Sequence, residues 1–291
     1  MKWQDLRRSS NVQDFRARSG EGRGNSRLVM YLIRFLIGNK YGRVVLVLGF
    51  ASYLMGYNPL SLLTFLDAPK TTHERDLTHS SNIADNQTAE FVSVVLAQNE
   101  DIWHRLFAKE SMVYKEPKLV LFRDLVNSGC GYATKQTGPF YCSSDEKIYL
   151  DMSFFDELKN RHNSPGDFAQ AYVISHEVGH HVQNLLGTLK KSHKEKARSS
   201  KKDANALQVK VELQADCYAG IWAHYVSEVI EKGDIQEALN AASAIGDDTL
   251  QKQAKGYVVP DAFTHGSSND RMAWFSKGYK YGNLSSCETG I

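Results

Sequence analysis

Two histidines and a glutamate form a His-Glu-x-x-His motif whose spacing suits zinc chemistry. His176 and His180 are four residues apart, and four residues of α-helix turn by about 400°, so both imidazoles project from one face. Each imidazole can then place a ring nitrogen about 2.0–2.1 Å from one Zn²⁺ ion. Glu177 lies about 100° around the helix, where it suits a general base better than a third ligand. The motif predicts one zinc ion per chain with a base beside it.

The residues around this motif indicate a buried site. Val173 and Ile174 precede it and Val178 and Val182 lie within or after it, which disfavours the alternative of a solvated polar helix face. Gly179 costs about 1 kcal/mol relative to alanine inside a helix. The glycine therefore predicts that another backbone approaches this helix closely.

A third zinc ligand is expected from a second acidic motif downstream. Glu212 and Asp216 are again four residues apart, and the small residues Ala219 and Gly220 follow on the same helix. We expect Glu212 to bind zinc and Asp216 to accept the free ring N–H of a ligating histidine. The alternative is a solvated acidic face, which the apolar run Cys217–Trp222 disfavours.

Two residues nearer the C-terminal end are further site candidates. His265 lies in a predicted loop before the last helix, where it could hydrogen-bond the oxyanion of a tetrahedral intermediate, although a packing or capping role suits it equally. Arg271 could pair with Glu212 or Asp216 and orient that carboxylate, or could be a surface charge.

The elements that must position these residues predict a mainly helical α+β domain over residues 88–291. Apolar residues recur at helical spacing from Thr88 to Met112, which predicts a helix. Two short strands are predicted at Leu119–Phe122 and Ile148–Leu150. Leu189–Asn205 contains seven Lys or Arg and predicts a solvated loop. Further helices are expected over four stretches: 164–187, 204–232, 234–245 and 267–281.

The N-terminal part predicts a membrane anchor. Residues 1–43 contain ten Lys or Arg against three acids, and Val44–Leu66 is a run of 23 residues without a formal charge. About 20 apolar residues suffice to cross a bilayer, so we expect a single transmembrane helix at 44–66, with a buried core helix as the alternative. The basic excess before it predicts a cytoplasmic N-terminus in the inner membrane and a periplasmic or extracellular domain. The basic segment thus meets a membrane surface rather than nucleic acid, and residues 67–87 read as a polar linker.

Four cysteines are compatible with an exported domain. Cys130 and Cys142 bracket a segment that contains Gly and Pro, so a disulfide between them is expected in an oxidising compartment, which leaves Cys217 and Cys287. The sequence alone leaves three pairings open, as well as four reduced thiols.

The motifs taken together resemble the bacterial neutral zinc metallopeptidase family, and His-Glu-x-x-His with a later Glu-x-x-Ala-Asp is similar to the gluzincins. The resemblance implies a zincin-like fold and a membrane-anchored peptidase. Together with the predicted topology it predicts hydrolysis of peptide bonds of proteins or peptides in the cell envelope. Two alternatives remain: a catalytically silent zinc-binding scaffold, and a zinc hydrolase of non-peptide amides. The segments that carry the resemblance are Met1–Gln4, Gly138–Cys142, Ser175–Gln183, Glu212–Asp216 and Asp261–Gly266, with Arg271 and Trp274-Phe275.

Overall fold

The computed structural model describes residues 1–16, 83–161 and 166–291, together with Arg34 and Gly38. Met1–Ala17 and Ser80–Ile291 belong to one compact unit. Its strands are β1 (Val12–Asp14), β2 (Lys118–Phe122), β3 (Leu125–Ser128), β4 (Gly131–Thr134), β5 (Phe140–Cys142) and β6 (Lys147–Asp151). Its helices are α1 (Ile83–Lys109), α2 (Met152–Arg161), α3 (Asp167–Leu185), α4 (Thr188–Lys196), α5 (Lys201–Tyr225), α6 (Asp234–Ala244), α7 (Asp247–Lys255) and α8 (Ser268–Tyr281). The expected mainly helical α+β fold is confirmed.

A four-stranded sheet in the order β1-β2-β6-β5 forms one side of the core. Strands β1, β2 and β6 run parallel, and β5 pairs antiparallel with β6 at one edge. Strand β2 is buried from Leu119 to Phe122, as expected for a strand covered on both faces. The two strands predicted from sequence are thus β2 and β6, each slightly longer than expected.

Helices α3, α5 and α8 approach one another closely at three glycines, two of which leave no space for a side chain. A Cβ at Gly179 of α3 would lie 3.0 Å from the carbonyl oxygen of Ala215 in α5. A Cβ at Gly220 of α5 would lie 2.1 Å from the oxygen of Phe275, and one at Gly278 of α8 would lie 1.9 Å from that of Cys217. The close approach predicted from Gly179 is therefore present, and it brings the two acidic residues of α5 beside the histidines of α3.

The predicted N-terminal transmembrane helix requires correction. Among the residues that the structure describes, no helix combines the length and the apolar character needed to span a bilayer. The predicted span Val44–Leu66 itself lies outside those residues. In addition, β1 pairs with β2 through Val12 and Leu119, and paired strands lie on the same side of any membrane. A domain behind a single crossing, with the chain before it on the opposite side, is incompatible with that sheet.

Two segments predicted to be irregular contain helix. The predicted basic loop Leu189–Asn205 contains most of α4 and the start of α5, because Leu189 and Ser192 are buried against the rest of the unit and hold α4 in place. Residues 83–87, assigned above to a polar linker, form the first turns of α1, and 67–82 lie outside the described residues.

Two disulfides connect the four cysteines. Cys130 is bonded to Cys142 at the end of β5, with their Cα atoms 5.8 Å apart. Cys217 of α5 is bonded to Cys287, with their Cα atoms 5.6 Å apart. The second bond ties the C-terminal segment to the helix that carries Glu212 and Asp216.

Candidate metal centre

His176, His180 and Glu212 converge on one point between α3 and α5. Their ligand atoms lie within 4.8 Å of one another. Oε2 of Glu212 is 3.3 Å from Nε2 of His176 and 3.5 Å from Nε2 of His180. In a tetrahedral zinc site with bonds of about 2.0–2.2 Å, neighbouring ligand atoms are about 3.3–3.5 Å apart. The donor set and its spacing therefore fit a zinc ion.

Asp216 holds the ring of His176 in the orientation that a metal ligand needs. Nδ1 of His176 lies 2.8 Å from Oδ1 of Asp216, which leaves Nε2 free to face the metal position. Arg271 donates to both oxygens of Asp216, at 2.8 and 2.9 Å. Tyr172 donates to Asp216 at 2.6 Å and accepts from Arg271 at 3.2 Å. Arg271 is thus a buried counterion of Asp216, although the sequence also allowed a surface charge.

Gln183 holds the ring of His180 in the same way, a role that was not predicted from the motif. Nδ1 of His180 lies 2.9 Å from Oε1 of Gln183. The amide nitrogen of Gln183 donates to the carbonyl oxygen of Val211 at 2.7 Å and to Oε1 of Gln214 at 3.0 Å, which fixes which end of the amide faces the histidine. Gln214 in turn donates to the carbonyl oxygen of Cys287 at 3.1 Å. The C-terminal disulfide segment therefore supports the orientation of a metal ligand.

Glu177 is placed to exchange a proton beside the metal position. Its side chain is buried, and Oε2 has no hydrogen-bond partner among the described residues. Burial raises the pKa of its carboxyl, against the opposing effect of the His180 and His176 charges. A buried carboxylate oxygen without a partner is unfavourable unless a water or substrate group completes its hydrogen bonds. The geometry suits the base predicted from the motif.

A cavity of about 430 Å³ opens onto these residues. His265 lines it, with Nδ1 3.3 Å from Oδ1 of Asp247. Oδ2 of Asp247 accepts the backbone N–H groups of Thr264, His265 and Gly266 at 2.7, 2.6 and 3.0 Å. Because Nδ1 faces Asp247, the other ring nitrogen is left for a group in the cavity. The hydrogen bond to Asp247 raises the pKa of His265.

Several of the supporting residues were not predicted from sequence, and the available signals differ among Gln183, Gln208 and Asp247. Gln183 follows His180 by three residues, so helical spacing alone could have suggested the contact. Gln208, which donates to Oε1 of Glu212 at 2.7 Å, precedes that ligand by one turn and carried the same signal. Asp247 is far from His265 in sequence, and no local pattern relates the two.

Zinc binding is expected to release protons at neutral pH. Burial opposes the charging of His176, but Asp216 and Glu212 outweigh it and raise its pKa to about 10, and Glu212 raises that of His180. Both rings must be neutral to bind zinc, so the ion displaces about one to two protons near pH 7 and binds more tightly as pH rises. Calorimetric titration in buffers of different ionisation enthalpy measures this number. Asp216→Asn should lower the number of protons released, because it removes a charge that raises the pKa of His176. A zinc affinity that is constant from about pH 6 to 8 would contradict the expectation.

Comparison with known proteins agrees with this donor set. The family model described as "Putative neutral zinc metallopeptidase" matches residues 1–290. The chain is similar to the uncharacterized protein YpfJ of Escherichia coli K12, with 42% identity over 294 residues that cover 99% of this chain and 98% of the relative. It is also similar to the uncharacterized protein Rv2575 of Mycobacterium tuberculosis H37Rv, with 43% identity over 189 residues, or 60% of this chain and 63% of the relative. No solved structure matches the chain. The family match spans the metal centre and nearly the whole sequence, which confirms the predicted resemblance: the chain belongs to the neutral zinc metallopeptidase family.

Proposed function

We propose that the protein is a zinc-dependent peptidase that hydrolyses peptide bonds in the cavity beside Glu177. The observation that carries the proposal is the buried Oε2 of Glu177, which has no partner in the described part of the chain and lies next to three convergent ligand atoms. A purely structural zinc site has no use for such a base, which argues against a silent scaffold. When bound, the zinc ion supplies Lewis-acid chemistry: it polarises a carbonyl oxygen and lowers the pKa of water.

The side chains of the cavity then have distinct roles in the proposed hydrolysis. Oε2 of Glu177 takes a proton from the attacking water and later passes it to the leaving amine. Asp216 and Gln183 keep the Nε2 atoms of the two histidines directed at the metal position. His265, held by Asp247, donates a hydrogen bond to the oxygen that becomes negatively charged in the tetrahedral intermediate. We place this activity outside the cytoplasm, because two disulfides favour an oxidising compartment.

The proposal is tested with the Glu177→Gln variant. The variant keeps the size of the side chain but removes the base, so it should bind zinc as the unaltered protein does while peptide hydrolysis falls by about 100-fold or more. Both zinc-loaded proteins are incubated with an extract of cell-envelope proteins, and the new peptide termini are identified by mass spectrometry.

Two controls make the result decisive. Chelation of zinc should remove the same cleavages, and zinc content measured in both proteins should be equal. If the two proteins yield the same termini at equal zinc content, Glu177 is not the base and the proposed hydrolysis is wrong. If non-peptide amides are hydrolysed and peptides are not, the substrate class is wrong while the chemistry stands.

A further inference from the structure

One wall of the cavity carries hydrogen-bond donors that the proposed hydrolysis does not use. This wall is formed by α4, where Ser192 and Lys196 are four residues apart and therefore lie on the same helix face. Both residues line the cavity, as does Leu189 one turn earlier. The wall belongs to the segment predicted from sequence to be a solvated loop, so no role was expected for it.

The hydroxyl group of Ser192 lies in the cavity wall. Its side chain is fully buried, and Oγ has no hydrogen-bond partner among the described residues. Burial of a hydroxyl without a partner is unfavourable, because the water that it loses is not replaced. A group that enters the cavity can supply the missing acceptor.

Lys196 presents a positive charge to the same part of the cavity. Its ammonium group donates to Oε1 of Gln208, a neutral acceptor, and none of the described carboxylates forms an ion pair with it. Partial burial lowers the pKa of Lys196, and the charge of Glu212 opposes that effect. An ammonium group has three N–H donors, so the contact with Gln208 leaves two of them for a ligand.

The surrounding charge has the same sign. Residues 189–205 contain seven Lys or Arg against Glu195 and Asp203. Lys190, Lys191 and Lys194 of this segment are exposed on α4. This excess of positive charge on α4 favours the approach of anionic groups over cationic ones.

We propose that Ser192 and Lys196 form a recognition subsite for a carboxylate group of the substrate. The hydroxyl and the ammonium would each donate to the carboxylate, and a hydrogen bond to a charged partner is stronger than one between neutral groups. The inference rests on the proposed function, since it names the substrate class of the same cavity: peptides that carry a negative charge. That charge is a C-terminal carboxylate or an acidic side chain, which present the same chemistry.

The test uses three peptide hydroxamates of equal length, whose hydroxamate group binds zinc. One probe ends in a free carboxylate, one ends in a neutral amide, and one ends in an amide but carries a glutamate side chain. Binding of each probe to the zinc-loaded full chain is measured by calorimetry. At least one carboxylate probe should bind about 10-fold more tightly than the neutral probe. Which of the two does so identifies the source of the carboxylate.

Three variants test which residues cause the preference for a carboxylate probe. Lys196→Gln should abolish it and leave the affinity for the neutral probe unchanged, and Ser192→Ala should reduce it. Lys191→Gln, an exposed lysine on the same helix, is the matched control and should keep the preference. Equal affinity of the unaltered protein for all three probes would overturn the subsite while leaving the Glu177 test intact.

A different outcome would assign Lys196 a purely supporting role. Gln208 connects Lys196 to Glu212, so Lys196→Gln could weaken zinc binding and lower the affinity for all three probes by the same factor. That result would also overturn the carboxylate subsite. Zinc content measured alongside each titration separates this outcome from a selective loss of the carboxylate probes.

Discussion

We expect the Glu212→Gln variant to lose stoichiometric zinc, whereas Asp216→Asn should keep the site and bind zinc about 10–100-fold more weakly. Oε2 of Glu212 faces both ligating histidines, so the substitution replaces a charged ligand by a poor neutral one of the same shape. Asp216 acts on the metal position indirectly, because its hydrogen bond to Nδ1 of His176 orients that ligand. His176→Ala and His180→Ala, which each remove a ligand, should also abolish binding.

The measurement is zinc content after reconstitution at neutral pH, followed by competition with a chelator of known affinity. Glu195→Gln, which alters an acid of α4 outside the cavity lining, is the control and should retain full occupancy. If Asp216→Asn lost all its zinc while Glu212→Gln kept a near-normal zinc affinity, Asp216 would be the ligand and Glu212 the orienting residue. Equal small losses in both variants would place the third ligand elsewhere, with His265 the next residue to replace.

Replacement of Arg271 by Met is expected to destabilise the fold by about 3–5 kcal/mol, the usual penalty when one partner of a buried ion pair is removed. Arg271 is 2% exposed and Asp216 is fully buried, so the variant removes the main counterion of the carboxylate and leaves only His176 as a counterion beside it. Arg271 and His176 together overcome the effect of burial and hold the pKa of Asp216 at about 2. Without Arg271 that pKa rises, and the hydrogen bond to His176 weakens with it.

Urea denaturation of the zinc-free chain gives the free energy of unfolding for each variant. Arg271→Lys keeps the charge but loses the two-pronged contact with Asp216, so it should be destabilised by less. The double variant Asp216→Asn/Arg271→Met should recover part of the loss, because the buried charge is gone. If Arg271→Met were as stable as the unaltered protein, Asp216 would not be a buried carboxylate that depends on Arg271.

The metal centre could be predicted from the sequence because each half of it lies on a single helix. His176 and His180 share a face through helical spacing, and so do Glu212 and Asp216, whatever the rest of the chain does. Gly179 predicted that a second backbone comes close, but could not identify which one. In the structure that backbone belongs to Ala215 of α5. Its approach to Gly179 brings the acidic pair close to the histidine pair.

Residues whose partners are distant in sequence were decided only by the tertiary structure. Asp247 reaches His265, and Gln214 reaches Cys287, through loops and helix ends whose approach no local periodicity encodes. The pairing of Val12 with Leu119 is another such contact, and it corrects a topology that hydropathy and charge alone had favoured. The prediction of a solvated loop from the many basic residues was also wrong for α4. A helix can be strongly basic and still pack against the core through one buried face.

Local spacing thus determined which side chains could hold zinc and act as the base, since helix geometry is a property of a few consecutive residues. Packing decided the rest: the counterion of Asp216, the orientation of His180 by Gln183, and the position of Ser192 and Lys196 in the cavity wall. These depend on how whole helices approach one another, which small residues permit but do not specify. That approach is fixed by contacts between segments far apart in the chain.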